Sequence, residues 1–451
     1  MEFELLKRGH IKRNIIIGII AVLLISAIIL NFTRAKYRTT ADIPIVNGTI
    51  NYSLADLNIV GLYINGEEAT ELDNSKNYTL DTSRSTCTYK DGNTIDNLTL
   101  NYDSETKSFS ISPYTTKGTK CILYFNEKLT AGDTIIANSK KGTGTPNFSK
   151  TSCTNGTNNG SNCGEQTVGL YEVTTSKGTT YYFRGDVDDN YLEFGGFYWR
   201  IIRINEDGSI RIIYSGEKST VDSAGKETVL ANGYNDGNTK YAQIQESVYN
   251  NSYDRSEYVG FRYTEGSQRP NNTNTGTEST IKGVLDTWYS NNLQAYDNMI
   301  VNTPGFCNDR EMASGSSWSS QPSSSIGYAA RERLEILSTS AQPTYECSNN
   351  NDLYQTKIGL ITGDEVMHAG GKGGTNNYGY YLYTGNSYWT MSPYFFDVRG
   401  YAYMFQVFST GSLGNYSVGY TYGVRPVINL SANTTIKSGN GTISSPYEVS
   451  D

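Results

Sequence analysis

Two stretches of sequence decide the fold of this chain: Tyr388–Pro393 (YWTMSP) and Gly423–Leu430 (GVRPVINL). Both are rich in aromatic and β-branched residues, which favour strands, and only further strand and turn signals lie between them. Upstream, the strand-like runs Gly196–Ile204 and Ser209–Tyr214 are separated by the turn sequence Asn205–Gly208, so a hairpin is predicted there. The C-terminal half is therefore predicted to contain many short strands.

Two helices are predicted among these strands. Residues Thr280–Tyr289 carry apolar side chains at helical spacing on one face. Thr362 and Glu365 form a capping box at the start of a second helix, which Gly370-Gly371 ends. Residues 167–451 are therefore predicted to be an α+β domain.

The region before this domain divides into two parts. Residues 41–128 contain alternating runs such as Ile59–Ile64 and Leu98–Tyr102, separated by turns such as Asn65-Gly66. We predict a small β-sandwich here, acting as a stalk. Residues 129–166 are rich in Gly, Asn and Thr, which bury little apolar surface, so they are predicted to be a linker.

The N-terminus has the pattern of a signal anchor. Residues 1–13 form a basic tail with Lys and Arg between Lys7 and Arg13, and residues 14–32 are an apolar run long enough to span a membrane. The long C-terminal region and all six cysteines follow this run, which favours their placement outside the cell. We predict a single-pass protein of the bacterial cell membrane with its C-terminal region extracellular. A cleaved signal peptide, for which Thr33–Ala35 offers small residues, is the competing interpretation.

The six cysteines fall into three pairs that are local in sequence. We predict disulfides between Cys87 and Cys121, between Cys153 and Cys163, and between Cys307 and Cys347. Buried free thiols are the alternative, since disulfides are less routine in Gram-positive surface proteins.

Composition and motifs exclude several classes of function. A formal net charge of -8 repels nucleic-acid phosphates, so no nucleic-acid partner is predicted. Only two histidines, His10 and His368, are present, and the cysteine spacing does not suit zinc, so no metal and no cofactor are predicted. Asp186–Asn190 lacks the later Gly and Glu of an EF-hand, although a looser calcium site stays open there. Ser279 and Lys282 lack the partner Lys-Thr-Gly strand of penicillin-recognising enzymes, and the chain is predicted not to be an enzyme.

The two opening stretches, together with Phe194–Arg203 and Ile358–Val366, resemble a family of uncharacterised surface domains from Firmicutes. Their closing portion is similar to C-type-lectin-fold proteins related to formylglycine-generating enzymes. The resemblance covers roughly residues 130–451. It implies a C-type-lectin-like domain at 167–451, so the expected fold class is α+β, with a small β-sandwich and one N-terminal transmembrane helix before that domain. No cysteine follows Cys347, so the reactive cysteine pair of formylglycine-generating enzymes is absent.

The segment is also similar to the variable proteins of diversity-generating retroelements. In those proteins a constant set of residues, the frame, surrounds ligand-facing positions whose codons are mutated at adenines. The resemblance implies a frame of Trp389, Ser392, Pro393, Ala402, Val407, Gly411, Leu413, Val418 and Gly423–Leu430. The aromatic and polar residues between them are types reachable from an asparagine codon by changing adenines alone. Met404 and Gln406 are not reachable in this way, so they must belong to the frame.

A ligand-binding face is predicted between the frame positions. Eleven tyrosines lie from Tyr378 to Tyr422, interleaved with Gly, Ser and Asn, which is the composition of binding loops. Plain strands, in which Tyr packs across the sheet, are the alternative interpretation. The predicted ligand-binding residues are Tyr394, Phe395, Phe396, Asp397, Arg399, Tyr401, Tyr403, Asn415, Tyr416, Tyr420 and Tyr422.

The sequence thus predicts a cell-surface adhesin or receptor that binds an extracellular protein or glycan. Two other functions stay open. One is a cell-envelope enzyme of formylglycine-generating ancestry, which requires a buried polar cluster or metal near the tyrosines. The other is a purely structural envelope protein, which requires self-association.

Overall fold

A computed structural model describes residues 57–450, except for 74–75, 105–106, 113–117, 154–164, 222–226, 230–241, 271–275 and 337–340. The chain divides into two compact units, which meet in sequence between Lys128 and Leu129. The predicted tail at 1–13 and the predicted membrane anchor at 14–32 lie outside the described residues. Among the helices that are described, none is both long enough and apolar enough to cross a membrane.

The first unit is a small β structure. Its strands are β1 (Leu57–Ile64), β2 (Glu67–Glu68), β3 (Asn77–Leu80), β4 (Thr86–Thr88), β5 (Thr99–Asp103), β6 (Ser108–Ser112) and β7 (Thr119–Lys128). Five of them form a sheet in the order β2-β1-β7-β3, with β4 also paired to β7, while β5 and β6 form a separate hairpin. Tyr102 of the hairpin packs edge-on against Phe125 of β7, with ring centroids 4.9 Å apart, so the hairpin shares the core of the sheet.

The second unit contains the remaining strands: β8 (Gly169–Thr175), β9 (Gly178–Arg184), β10 (Tyr191–Phe194), β11 (Phe197–Ile204), β12 (Ile210–Val221), β13 (Glu227–Val229), β14 (Gln245–Val248), β15 (Arg262–Tyr263), β16 (Thr277–Glu278), β17 (Ile300–Val301), β18 (Phe306–Cys307), β19 (Ile326–Gly327), β20 (Leu353–Tyr354), β21 (Ile358–Gly359), β22 (Tyr388–Asp397), β23 (Tyr401–Val407), β24 (Leu413–Ser417), β25 (Thr421–Val424), β26 (Val427–Leu430), β27 (Thr435–Ser438) and β28 (Tyr447–Ser450). Its helices are α1 (Ala131–Asn138), α2 (Thr280–Asn292), α3 (Ala329–Arg331) and α4 (Gly363–His368), with 3-10 turns at Ser256–Tyr258, Gln294–Tyr296 and Asn350–Asp352 and a π turn at Glu332–Ile336.

Two sheets organise the second unit. The larger has eleven strands in the described residues and contains the predicted hairpin, β11 paired antiparallel with β12. The smaller has six, in the order β14-β25-β22-β23-β24 with β19 also paired to β22. The smaller sheet holds all the predicted ligand-binding residues, either in its strands or in the turns between them.

The predicted fold class, α+β with a C-type-lectin-like domain and an N-terminal transmembrane helix, was wrong for the part of the chain that is described. The structure is mostly sheet, with 41% strand and 13% helix. Both predicted helices in the second unit are present, as α2 and α4. They could be predicted because helix caps and apolar spacing are local signals in the sequence. α2 has 13 residues and α4 only six, so helices make up a small share of the described structure.

The segment predicted to be a linker begins with a helix. Thr130 and Asp133 form a capping box that starts α1. Ala131 and Ile135 of α1 are fully buried in the core of the second unit, and the Ala131 amide donates to the Thr434 carbonyl at 2.6 Å. Residues 131–138 therefore belong to the second unit, while 154–164, the Asn/Gly-rich stretch, lie outside the described residues.

Two of the three predicted disulfides are confirmed. Cys87 is bonded to Cys121 and Cys307 to Cys347. Cys153 is also disulfide-bonded, and its predicted partner, Cys163, lies outside the described residues. Disulfides persist in oxidising compartments, so they indicate an extracellular location.

Candidate functional site

The predicted frame forms the buried scaffold of the smaller sheet. Trp389 is fully buried, and its indole N–H donates to the Ser247 carbonyl at 3.0 Å. Its ring packs edge-on against Tyr249 and Tyr422. Arg425 is buried too, and it donates to the carbonyls of Tyr214 and Leu382, so its role is structural.

All frame positions are buried, whereas the positions between them range from buried to exposed. Every predicted frame residue is buried, and so are Met404 and Gln406, the two residues assigned to the frame on codon grounds. Eight of the intervening positions are exposed: Val398, Arg399, Tyr401, Ser409, Tyr416, Gly419, Tyr420 and Thr421. Frame residues thus hold the strands together, while the exposed residues cluster in β23, β24, the start of β25 and the turns next to these strands.

The eleven predicted ligand-binding residues differ in their exposure. Arg399, Tyr401, Tyr416 and Tyr420 are exposed, and Phe395, Tyr403, Asn415 and Tyr422 are half-buried. Tyr394, Phe396 and Asp397 are buried, and the first two pack in the hydrophobic core of the second unit. Their side chains support the surface and are not displayed on it.

The exposed and half-buried rings contact one another in groups. Tyr416 contacts Tyr420 and Tyr422 with edge-on geometry, at centroid distances of 4.8 and 5.3 Å. Phe395 and Tyr403, which are opposite each other across β22 and β23, stack at 4.6 Å.

One residue of this surface was missed by sequence reasoning. The ring of Tyr253 is 44% exposed and stacks on Tyr401 at 5.8 Å with an interplanar angle of 7°. Its carbonyl accepts from the Ala402 amide at 2.8 Å. We define the aromatic face as Tyr253, Phe395, Arg399, Tyr401, Tyr403, Asn415, Tyr416, Tyr420 and Tyr422. Tyr253 precedes Tyr401 by well over a hundred residues, and no local pattern marks it.

Two charged features lie at the aromatic face: the ion pair of Arg399 with Asp397, and the Arg331 guanidinium, which is 5.3 Å from the centroid of the Phe395 ring. Arg399 Nε lies 3.1 and 3.0 Å from the two carboxylate oxygens of Asp397. Hydrogen bonds from Arg399 lower the pKa of Asp397, so the pair stays ionised at neutral pH. Burial raises the pKa of Tyr403 and Tyr422, so their hydroxyls stay protonated and can donate to a ligand.

The described residues offer no support for metal chemistry at this surface. Among them, no group of three or more His, Cys, Asp or Glu side chains is placed to hold a metal ion. His368 lies in the core, where burial lowers its pKa to about 3.

Comparison of the chain with family models, with curated proteins and with solved structures gave no match. The resemblance to Firmicutes surface domains and to retroelement variable proteins therefore stays a prediction from the sequence.

Proposed function

We propose that this chain is an extracellular ligand-binding protein, an adhesin or receptor, whose binding site is the aromatic face. The observation that carries the proposal is the set of four exposed tyrosine rings, Tyr253, Tyr401, Tyr416 and Tyr420, which are between 37% and 55% exposed on a fully buried frame. These rings contact one another in two pairs, Tyr253 with Tyr401 and Tyr416 with Tyr420, and clustered exposed apolar surface marks interaction sites.

The chemistry of the face suits a neutral or weakly polar partner. Tyrosine offers a large apolar ring and a hydroxyl, and few of its torsions are immobilised on binding. Ring contacts hold several of these side chains in place before a ligand arrives, which lowers the entropy cost of association. The partner is proposed to be an extracellular protein or glycan that covers the rings.

The division between frame and surface supports retroelement-type diversification of the same positions. Substitutions at Tyr401, Tyr416 and Tyr420 change the exposed surface and leave the buried frame intact. A diversified segment requires this separation, because core substitutions cost several kcal/mol on average (~2–5) and surface substitutions usually cost little. In the neighbouring DNA, a near-copy of the 388–430 coding segment that differs only at adenines would support this part of the proposal. Its absence, together with that of a reverse-transcriptase gene, would refute it.

Attachment to a bacterial membrane is part of the proposal as well. It rests on the apolar run at residues 14–32 and on the basic residues before it. Extraction of the native protein by detergent but not by high salt is the expected result. Release of a shortened chain into the medium would favour a cleaved signal peptide.

The binding function is tested with the full chain on arrays of glycans and extracellular proteins. A triple variant, Tyr401→Ala/Tyr416→Ala/Tyr420→Ala, should lose the signals that the wild type gives. Tyr296→Ala is the matched control, because Tyr296 is 38% exposed but lies outside the aromatic face. Equal signals from the wild type and the triple variant would place the binding site elsewhere.

A further inference from the structure

Strand β24 carries two residues of the aromatic face, Asn415 and Tyr416, and lies at one edge of the smaller sheet. Among the described strands, it is paired with β23. The register of this antiparallel pair runs without a shift from Leu413 to Ser417, so the direction in which each main-chain group of β24 points is fixed. The edge that faces away from β23 is where a further strand could pair.

Hydrogen bonds at the two ends of the pair show which residues point toward β23. The Phe408 amide donates to the Ser412 carbonyl at 2.8 Å, and the Val418 amide donates to the Ala402 carbonyl at 2.9 Å. In an antiparallel pair, every second residue exchanges hydrogen bonds with the partner strand, so residues 412, 414, 416 and 418 point to β23. The residues of β24 that point to the free edge are Leu413, Asn415 and Ser417.

The chain itself already uses one end of this edge. The Leu413 amide donates to the Lys372 carbonyl at 3.0 Å, and the Gly374 amide donates to the Leu413 carbonyl at 3.1 Å. Gly373 thereby forms an isolated parallel bridge with Leu413. The geometry of the edge therefore suits an extended segment, and residues 372–374 are such a segment at Leu413.

Beyond Leu413, the edge has main-chain groups without a backbone partner. The Ser417 carbonyl accepts from the Tyr420 amide at 3.1 Å. Among the described residues, the amide and the carbonyl of Asn415 and the amide of Ser417 form no backbone hydrogen bond. Asn415 is half-buried and Tyr416 is 37% exposed, so this part of the edge is within reach of a ligand.

β24 also lacks the features that usually prevent an edge strand from pairing. Natural edge strands are protected by charged residues, by Pro or by β-bulges. At the edge of the larger sheet, β27 has Lys437 and an irregular register with β28. At the other edge of the smaller sheet, β14 has Glu246. β24 has the sequence Leu-Gly-Asn-Tyr-Ser and a regular register, so it has none of these protections.

We propose that the aromatic face binds an extended peptide segment of a partner protein, which adds as a strand to the free edge of β24. This inference rests on the proposed function, because Asn415 and Tyr416 belong to both the edge and the face. Main-chain hydrogen bonds to Asn415 hold the segment, and a side chain of the segment packs on the Tyr416 ring. Main-chain amides and carbonyls at strand spacing are a property of peptides, so a peptide fits this edge better than a glycan does.

Probes for the test come from a phage-displayed library of random peptides of about 12 residues, selected on the full chain. A selected peptide is synthesised with one N-methyl group at each amide in turn, which removes one main-chain donor at a time. N-methylation of the amide that donates to the Asn415 carbonyl should weaken binding at least about tenfold. N-methylation of the two neighbouring amides, which point away from β24, should change binding by less than about threefold. A scan without such a position would overturn the proposal.

Two variants at Asn415 separate its main chain from its side chain. Asn415→Pro removes the amide donor and places a ring at the edge, and the hydrogen bonds to β23 stay because the Asn415 amide points away from that strand. It should weaken binding of the selected peptide at least about tenfold. The matched control, Asn415→Ala, keeps the amide and should change binding by less than about threefold. Circular dichroism shows whether each variant is folded, and the N-methyl scan on the wild type is independent of the variants.

The outcomes distinguish this inference from the proposed function. Edge pairing is overturned if the library yields no peptide or if folded Asn415→Pro binds the selected peptide as the wild type does. The aromatic face would still be the binding site if the triple variant at Tyr401, Tyr416 and Tyr420 lost the array signals. A dimer of the wild type that Asn415→Pro abolishes would identify a second copy of the chain as the occupant and would also overturn the proposal. If the triple variant kept all array signals, the proposed function itself would fail.

Discussion

His368 provides a sharp test of how the core of the second unit is built. Its imidazole is surrounded by the rings of Phe148, Tyr182 and Tyr345, with centroids 4.9, 4.9 and 4.1 Å away. The Nδ1 atom lies 3.0 Å from the Asp364 carbonyl. Burial lowers the pKa of His368 to about 3, whereas an exposed histidine titrates near 6.5.

The sign of the pH effect follows from this difference. Above about pH 6.5 His368 is neutral in both states, so its contribution to the free energy of unfolding is constant. As the pH falls below 6.5, the unfolded chain takes up a proton that the folded chain refuses, and stability is lost by about 1.4 kcal/mol per pH unit. Between pH 7.5 and 4.5 the loss from His368 alone is therefore about 3 kcal/mol.

The perturbation is His368→Phe, which keeps an aromatic ring in the cage and removes the titrating group. Urea unfolding of wild type and variant at several pH values between 7.5 and 4.5 gives the free energy of unfolding of each. Taking the difference in the free energy of unfolding between the two chains removes the contributions of other titrating groups. One of these is Asp352, for which burial raises the pKa to about 6. We expect this difference to change by about 3 kcal/mol over the range in favour of the variant. If the free energy of unfolding of the two chains changed with pH in the same way, the claim that His368 is buried and neutral would be refuted.

Three further predictions concern stability. Replacing Cys307 and Cys347 by Ser opens a loop with a sequence separation of 40 residues, and urea unfolding should show a loss of about 4 kcal/mol; an unchanged midpoint would contradict a stabilising role for this disulfide. Glu365→Gln leaves Arg211 without the carboxylate beside it and Arg203 with Glu206 alone, and thermal unfolding should show a loss of about 3–5 kcal/mol; an unchanged stability would contradict a stabilising role for this ion cluster. Trp389→Ala should lower the free energy of unfolding by about 3–5 kcal/mol, whereas Tyr420→Ala should change it by less than about 0.5 kcal/mol. Similar losses for both variants would contradict the division between buried frame and exposed face.

Local features of the fold were predictable because nearby residues encode them. Asn65 and Gly66 both adopt positive φ, 52° and 91°, in the turn that their sequence predicts. The hairpin of β11 and β12 and the capping box of Thr362 and Glu365 follow from patterns a few residues long.

Features that depend on distant residues were not predictable. The tyrosine-rich composition and the resemblance predicted displayed side chains at Tyr394 and Phe396, but both side chains pack in the hydrophobic core of the second unit. Tyr253 joins the aromatic face through a contact with Tyr401 that no periodicity reveals. The predicted fold class was wrong for the same reason. Short helices can be detected from local signals, but the proportion of helix to strand depends on how all the strands assemble into sheets.

The central claim is that the aromatic face binds the ligand, and one pair of dissociation constants tests it most directly. For a ligand found on the arrays, Tyr420→Ala is compared with the equally drastic change Tyr296→Ala at an exposed position outside the face. Truncating a central aromatic contact costs about 2 kcal/mol, so Tyr420→Ala should raise the dissociation constant about 30-fold, while Tyr296→Ala leaves it unchanged. Equal dissociation constants for the two variants would contradict the account.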